Sequence, residues 1–98
     1  MKISEIVGRP AALEQLAEEA AELSQAALKL ARKLRGENPT PRNREELERA
    51  MIEEYSDVRC VANELGLIPS YTLIETKRRR WLQRLKEEGI QPDQEERR

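Results

Sequence analysis

Apolar residues return along most of this chain at intervals of three and four, the spacing that gathers them on one side of an α-helix. From Pro10 to Arg35, leucines and alanines stand at 13, 16, 20, 23, 27, 30 and 34. Ala17, Ala21, Leu28 and Ala31 widen that stripe to about half the circumference, at ~100° per residue. A face this wide predicts contact with more than one neighbouring helix. Pro10 suits a first helical turn and Gly36 the position just past the last. Residues 36–43 hold two prolines and a glycine and predict a loop. Asn43 or Thr40 can cap a second helix, which runs to about Leu65 and ends at Gly66. A third helix is expected from Pro69 or Ser70 to Glu88, with Gly89 as its stop and Tyr71, Ile74, Trp81, Leu82 and Leu85 as its apolar side. Ile3, Ile6 and Val7 predict a short helix lying on the bundle. The pattern reads as an all-α fold, a helical bundle of three main helices over residues 1–88, followed by a disordered polar tail at 89–98.

Composition adds a constraint on assembly. Hydrophobic and charged residues each make up 38% of the 98 residues, while aromatics are 3% and Phe is absent. A chain of this length buries only about 60–65% of its unfolded surface. With one Trp and two Tyr the core is thin for a monomer. Completion of the bundle by a second chain, in a homo-dimer or homo-tetramer, is therefore expected. The net charge of −1, from 18 basic and 19 acidic residues, supplies no global field for nucleic acid, and no nucleic-acid-binding motif is present. No stretch approaches the roughly 20 apolar residues of a membrane span, and Met1 to Val7 lacks the long apolar run of a signal peptide. The single cysteine, Cys60, cannot form an internal disulfide, and a cytoplasmic location is expected.

The second helix breaks its own pattern. Its apolar stripe reads Leu47, Met51, then Glu54, then Val58, Val61 and Leu65. Glu54 occupies a position where the period requires an apolar residue, and Asp57 lies one short step around the helix from it. A buried carboxylate must be paired, protonated or bound to a cation, because unpaired burial costs several kcal/mol (order of magnitude). The first helix offers more acid and no base. Glu18, Glu19 and Glu22 stand at i, i+1 and i+4, with Glu19 at the edge of the apolar face and Glu22 just beyond it. Acids set against Glu54 and Asp57 would form a carboxylate cluster without an internal cation. Hard oxygen ligands with no Cys or His select Mg²⁺, with Mn²⁺ as a substitute. Glu-rich runs are otherwise common on solvated helix faces; Glu18 projects well away from the apolar centre and Glu53 reads as a surface acid.

On the third helix Lys77, Arg80 and Arg84 recur at i, i+3 and i+7 and form a ridge able to receive phosphates. Arg78 falls within the apolar stripe and is expected to snorkel or to meet a second subunit. These motifs together resemble the MazG-like all-α nucleoside triphosphate pyrophosphohydrolases, whose signature is E-E-x-x-E on one helix and E-x-x-D on the next. Here they read Glu18-Glu19-Ala20-Ala21-Glu22 and Glu54-Tyr55-Ser56-Asp57, followed by Lys77, Arg80 and Arg84, and the resemblance spans roughly residues 10 to 85. It implies Mg²⁺-dependent hydrolysis of an NTP or dNTP to the monophosphate and pyrophosphate, in nucleotide-pool house-cleaning. It further implies metal ligation by Glu19, Glu22, Glu54 and Asp57, with Glu18 and Glu19 in the catalytic set. Glu18 would then bind a second metal or orient the attacking water, and Lys77, Arg80 and Arg84 would contact phosphate. Thr76 stands where related sequences often carry Asn, and Arg59 interrupts a run that is often more apolar. The rival reading is a non-catalytic helical interaction or regulatory protein. It accounts for the composition and leaves Glu54 unexplained. A di-iron carboxylate bundle normally uses Glu-x-x-His pairs, and this chain has no histidine.

Overall fold

A computed structural model of the chain describes residues 1–37 and 41–90. Four helices follow in order: α1 (Ile3–Val7), α2 (Arg9–Arg35), α3 (Arg44–Glu64) and α4 (Tyr71–Glu87). The all-α expectation is met, and each of the three long helices ends within about a residue or two of where the sequence signals place it. Thr40, the alternative cap, and the tail at 91–98 lie outside the described residues.

The ends explain why the helices stop where they do. Gly36 closes α2 in the left-handed conformation at φ 75°, which lets the Glu37 N–H reach the Arg32 carbonyl at 2.9 Å. Asn43 opens α3, its side chain accepting from the Glu46 N–H at 2.9 Å, and Glu45 and Glu46 place acid at the positive end of the helix dipole. Ser70 does the same for α4, accepting from the Leu73 N–H at 3.2 Å. The short α1 is held to the far end of α3. Glu64 accepts from the Ile3 N–H at 2.8 Å through its carboxylate and from the Ser4 hydroxyl at 2.7 Å through its carbonyl.

The chain divides into two units, Met1–Ile68 and the segment from Pro69 onward. In the first, α2 and α3 form an antiparallel hairpin and α1 packs on α2. The buried core is small: Ala12, Leu30, Leu47 and Leu65. Because α3 runs back along α2, Ala12 and Leu65 belong to one end of the hairpin and Leu30 and Leu47 to the other. The stretch between those ends is where the sequence places its acids. Leu13, Leu28, Ile52 and Tyr55 remain exposed, in keeping with stripes wider than a single helix partner can cover. In the second unit, Ile74, Trp81, Leu82 and Leu85 share one side of α4, and Lys77 and Arg78 border the same groove. No described helix is long and apolar enough to cross a membrane.

Leu47 is 2% exposed and is the most buried of the four core residues. Its replacement by Ala should cost about 2–4 kcal/mol in urea unfolding, a large share of what a domain of this size holds. Asn43→Ala should cost about 1 kcal/mol. A Leu47→Ala variant no less stable than Asn43→Ala would show that the hairpin core is not what holds this unit together.

Candidate metal centre

Antiparallel packing brings α2 and α3 face to face at the level of their acids. Glu19 and Glu22 from α2 meet Glu54 and Asp57 from α3, and one carboxylate oxygen from each lies within 4.8 Å of the other three. The helical period supplies this geometry directly: residues at i and i+3 are neighbours on one face, and each helix contributes one such pair. Glu18 is not one of the four that converge, and it is exposed. Its charge nonetheless reaches Glu22. Lys77, Arg80 and Arg84 are exposed along α4 in the second unit.

The four acids are not in equivalent surroundings. Glu19 and Glu54 are half-buried, while Glu22 and Asp57 are exposed, so the cluster has a closed side and an open side. On the closed side, Glu19 Oε1 accepts from the Gln15 amide at 2.7 Å. Glu19 Oε2 and Glu54 Oε2 are buried and have no hydrogen-bond partner. Orphaned carboxylate oxygens are unusual, since desolvation without a partner costs about 1–3 kcal/mol for a polar group and more for a charged one. Among the described residues no lysine or arginine pairs with any of the four acids. Ion pairs of this unit, Arg35–Glu37 at 4.0 Å, Arg42–Glu46 at 3.7 Å and Arg44–Glu48 at 2.9 Å, lie around the loop end of the hairpin.

The cost of the crowding is visible at Glu22, whose carboxyl is held above its ordinary range. Glu54 is the main cause, through a hydrogen bond that two carboxyls share only with a proton between them and through its charge. Partial loss of water and the charges of Asp57 and Glu18 act in the same direction. A cation would replace that proton. The donor set is all carboxylate oxygen, which suits a hard divalent ion, and the two orphaned oxygens point to a ligand that protein groups do not supply. Glu19, Glu22, Glu54 and Asp57 bring their oxygens close enough that together they could hold one such ion. Glu22 and Asp57 leave the other side of the cluster open to solvent.

The structure also adds residues that the sequence pattern passes over. Beside the acids, towards the loop end of the hairpin, is a cleft of about 140 Å³. Glu22 and Glu54 border it, and so do Lys29 of α2 and Arg42, just before α3. Lys29 follows Glu22 by seven residues, two helical turns, and that spacing was the available signal. Gln15, four residues before Glu19, is the other addition.

No family model matches the chain, and no curated protein or solved structure is significantly similar to it.

Replacing Glu54 by Leu removes an acid from an apolar stripe. The metal-free variant should be more stable than the wild type by about 1 kcal/mol. It should lose the rise in melting temperature that Mg²⁺ or Mn²⁺ produces in the wild type. A melting temperature of the wild type indifferent to both ions would remove the case for a metal centre. Acid supplies a second check. With its pKa raised by folding, Glu22 favours the folded state below the ordinary glutamate range, and that contribution is lost as pH rises through the raised value. Metal-free protein should therefore lose stability across that window relative to Glu22→Gln, and metal binding there should release protons. Parallel melting-temperature profiles for the two proteins would contradict this origin of the shift.

Proposed function

We propose that the protein is a Mg²⁺-dependent nucleoside triphosphate pyrophosphohydrolase of the MazG-like kind, releasing pyrophosphate from an NTP or dNTP in nucleotide-pool house-cleaning. The observation that carries this reading is the meeting of Glu19, Glu22, Glu54 and Asp57, with two of their oxygens buried and unpartnered. Acids in an apolar stripe weaken a bundle that has only a structural task, and they are what a metal site for polyphosphate requires.

Glu19, Glu22, Glu54 and Asp57 would hold the ion from the closed and open sides of the cluster. When bound, Mg²⁺ polarises phosphate oxygens and offsets the charge that develops as the phosphoanhydride breaks. Glu18, one residue from Glu19 and close enough for its charge to act on Glu22, is suited to orient the attacking water and accept its proton. The water oxygen forms the new bond to phosphorus, the α–β bridging bond breaks, and pyrophosphate leaves with the electron pair. Lys77, Arg80 and Arg84 form the basic ridge that the motif implies for phosphate contact. A homo-dimer or homo-tetramer would cover the exposed apolar faces of the hairpin, and such an enzyme would act in the cytoplasm.

A pyrophosphate-release screen over standard and modified NTPs and dNTPs, with and without Mg²⁺, tests the reading. At least one substrate should be cleaved only with the metal. Glu54→Gln, Asp57→Asn and Glu19→Gln should each lower kcat/KM by about a hundredfold or more, and Lys77→Ala should act mainly on KM, by about tenfold. Absence of release from every nucleotide, with the metal demonstrably bound, would leave a metal-binding helical protein and overturn the enzymatic assignment.

A further inference from the structure

The second unit carries an apolar face that stands open among the described residues. Ile74, Trp81, Leu82 and Leu85 line one groove together with Lys77 and Arg78, and all of these residues belong to α4. Trp81 is 56% exposed and Ile74 51%. Large apolar side chains gathered in the open on one stripe mark an interaction surface. The charge of the helix is equally one-sided. Lys77, Arg78, Arg79, Arg80, Arg84 and Lys86 stand against Glu75 and Glu87, a net +4 in a chain whose net charge is −1.

The position of Arg78 decides what can cover that face. It follows Ile74 by four residues and precedes Trp81 and Leu82 by three and four, so it lies in the middle of the apolar ridge. It forms no ion pair among the described residues. Lys77 and Arg84 border one side of the ridge, and Arg79 and Lys86 border the other. An occupant of the groove seals the Arg78 guanidinium from water, and a sealed charge without a partner is strongly unfavourable. The occupant must therefore bring a carboxylate to the middle of its own apolar surface, and acid to its edges.

Two other occupants fail on this count. A second α4 laid parallel sets Arg78 against Arg78. Laid antiparallel with Ile74 against Leu85, it sets Arg78 against Trp81 and Lys77 against Arg84. Neither register supplies an acid to Arg78. An anionic lipid surface has phosphates among its headgroups, but a helix lying there sinks the centre of its apolar face deepest, and that centre is Arg78.

We propose that α4 is a docking surface for an acidic amphipathic helix of another protein, one that carries a carboxylate within its apolar stripe opposite Arg78 and further carboxylates along both edges. Trp81 and Ile74 anchor the contact, and Arg78 selects the partner. The 17 residues of α4 span about 25 Å at 1.5 Å per residue, so a single face of this length makes a weak, reversible complex. The surface owes nothing to the acid centre of the hairpin.

Trp81 is the only tryptophan of the chain, so its fluorescence reports whether the groove is occupied. The probe is a synthetic peptide of roughly 20 residues, long enough to hold a helix in water, with a leucine stripe interrupted by one glutamate and with glutamates on both edges. A second peptide carries glutamine at the stripe position. The full chain should bind the first peptide with a blue shift of Trp81 emission, about tenfold more tightly than the second. Arg78→Gln should weaken the first by about tenfold and leave the two peptides equal, as a direct pair requires, and Arg78→Lys should recover part of the loss. The circular dichroism of both variants should match the wild type, since Arg78 is exposed. No binding of either peptide, equal affinity of the wild type for both, or binding indifferent to Arg78→Gln would overturn the proposal. A blue shift with phosphatidylcholine–phosphatidylserine vesicles and not with the acidic peptide would overturn it in favour of a lipid surface. A blue shift on concentrating the protein alone, with none on adding peptide, would overturn it in favour of a second copy.

Discussion

Mutual repulsion among four carboxylates is the constraint around which the hairpin is arranged. Glu19, Glu22, Glu54 and Asp57 are brought within 4.8 Å of one another because α2 and α3 must pack for their apolar stripes to leave water. The register that buries Leu30 and Leu47 at one end and Ala12 and Leu65 at the other leaves the acids no alternative but to face each other. Burying a leucine side chain yields about 1.5–3 kcal/mol, so two buried leucine-containing ends can outweigh the repulsion between them. The caps at Gly36 and Asn43 secure the same register by fixing where each helix stops and starts. Core and caps together hold a centre that would otherwise push the helices apart.

Much of this was legible in the sequence, for identifiable reasons. The period of three and four gives the helices, and Gly36, Asn43, Ser70 and Gly89 mark ends because each has a local chemical task that does not depend on the rest of the fold. Glu54 was legible because it violates a pattern: an acid among Met51, Val58 and Val61 has no explanation within its own helix. The cleft beside it was not legible. It arises from Ala26 meeting Ala50 across the hairpin, and an alanine in a helix is unremarkable until its partner is known. Lys29 was hidden for the same reason, since a lysine two turns beyond Glu22 reads as a solvated charge unless the opposite wall is seen. The asymmetry between Glu19 and Glu54 on the closed side and Glu22 and Asp57 on the open side is likewise a product of packing, and no single-helix argument separates them.

That asymmetry gives the centre a direction. Orphaned oxygens lie on the closed side, where a cation could be held, while the exposed pair leaves the outer face of the cluster open. Gln15 fixes one oxygen of Glu19 and leaves the other uncommitted, so the carboxylate is oriented before any ion arrives. Glu18 contributes charge from just outside the quartet. Positive charge is absent from the centre and present at its margin, where Lys29 and Arg42 border the cleft.

Under the metal-dependent reading, stability and function are coupled through one group of atoms. With only four side chains buried among the described residues, the hairpin has little reserve against which to set the repulsion at its centre. A divalent ion bound to the folded state adds stability in proportion to the logarithm of its concentration over its dissociation constant. An ion held by these carboxylates would take the place of the proton that their crowding retains at Glu22. Substitutions that remove an acid should consequently make the metal-free protein firmer while making it unresponsive to metal, the usual opposition between stability and activity at a charged site. A purely structural bundle has no reason to retain that opposition, because replacing Glu54 with an apolar residue would relieve it in a single step. Under the metal-dependent reading, the binding energy of the ion joins the packing of the helices in keeping so small a core closed.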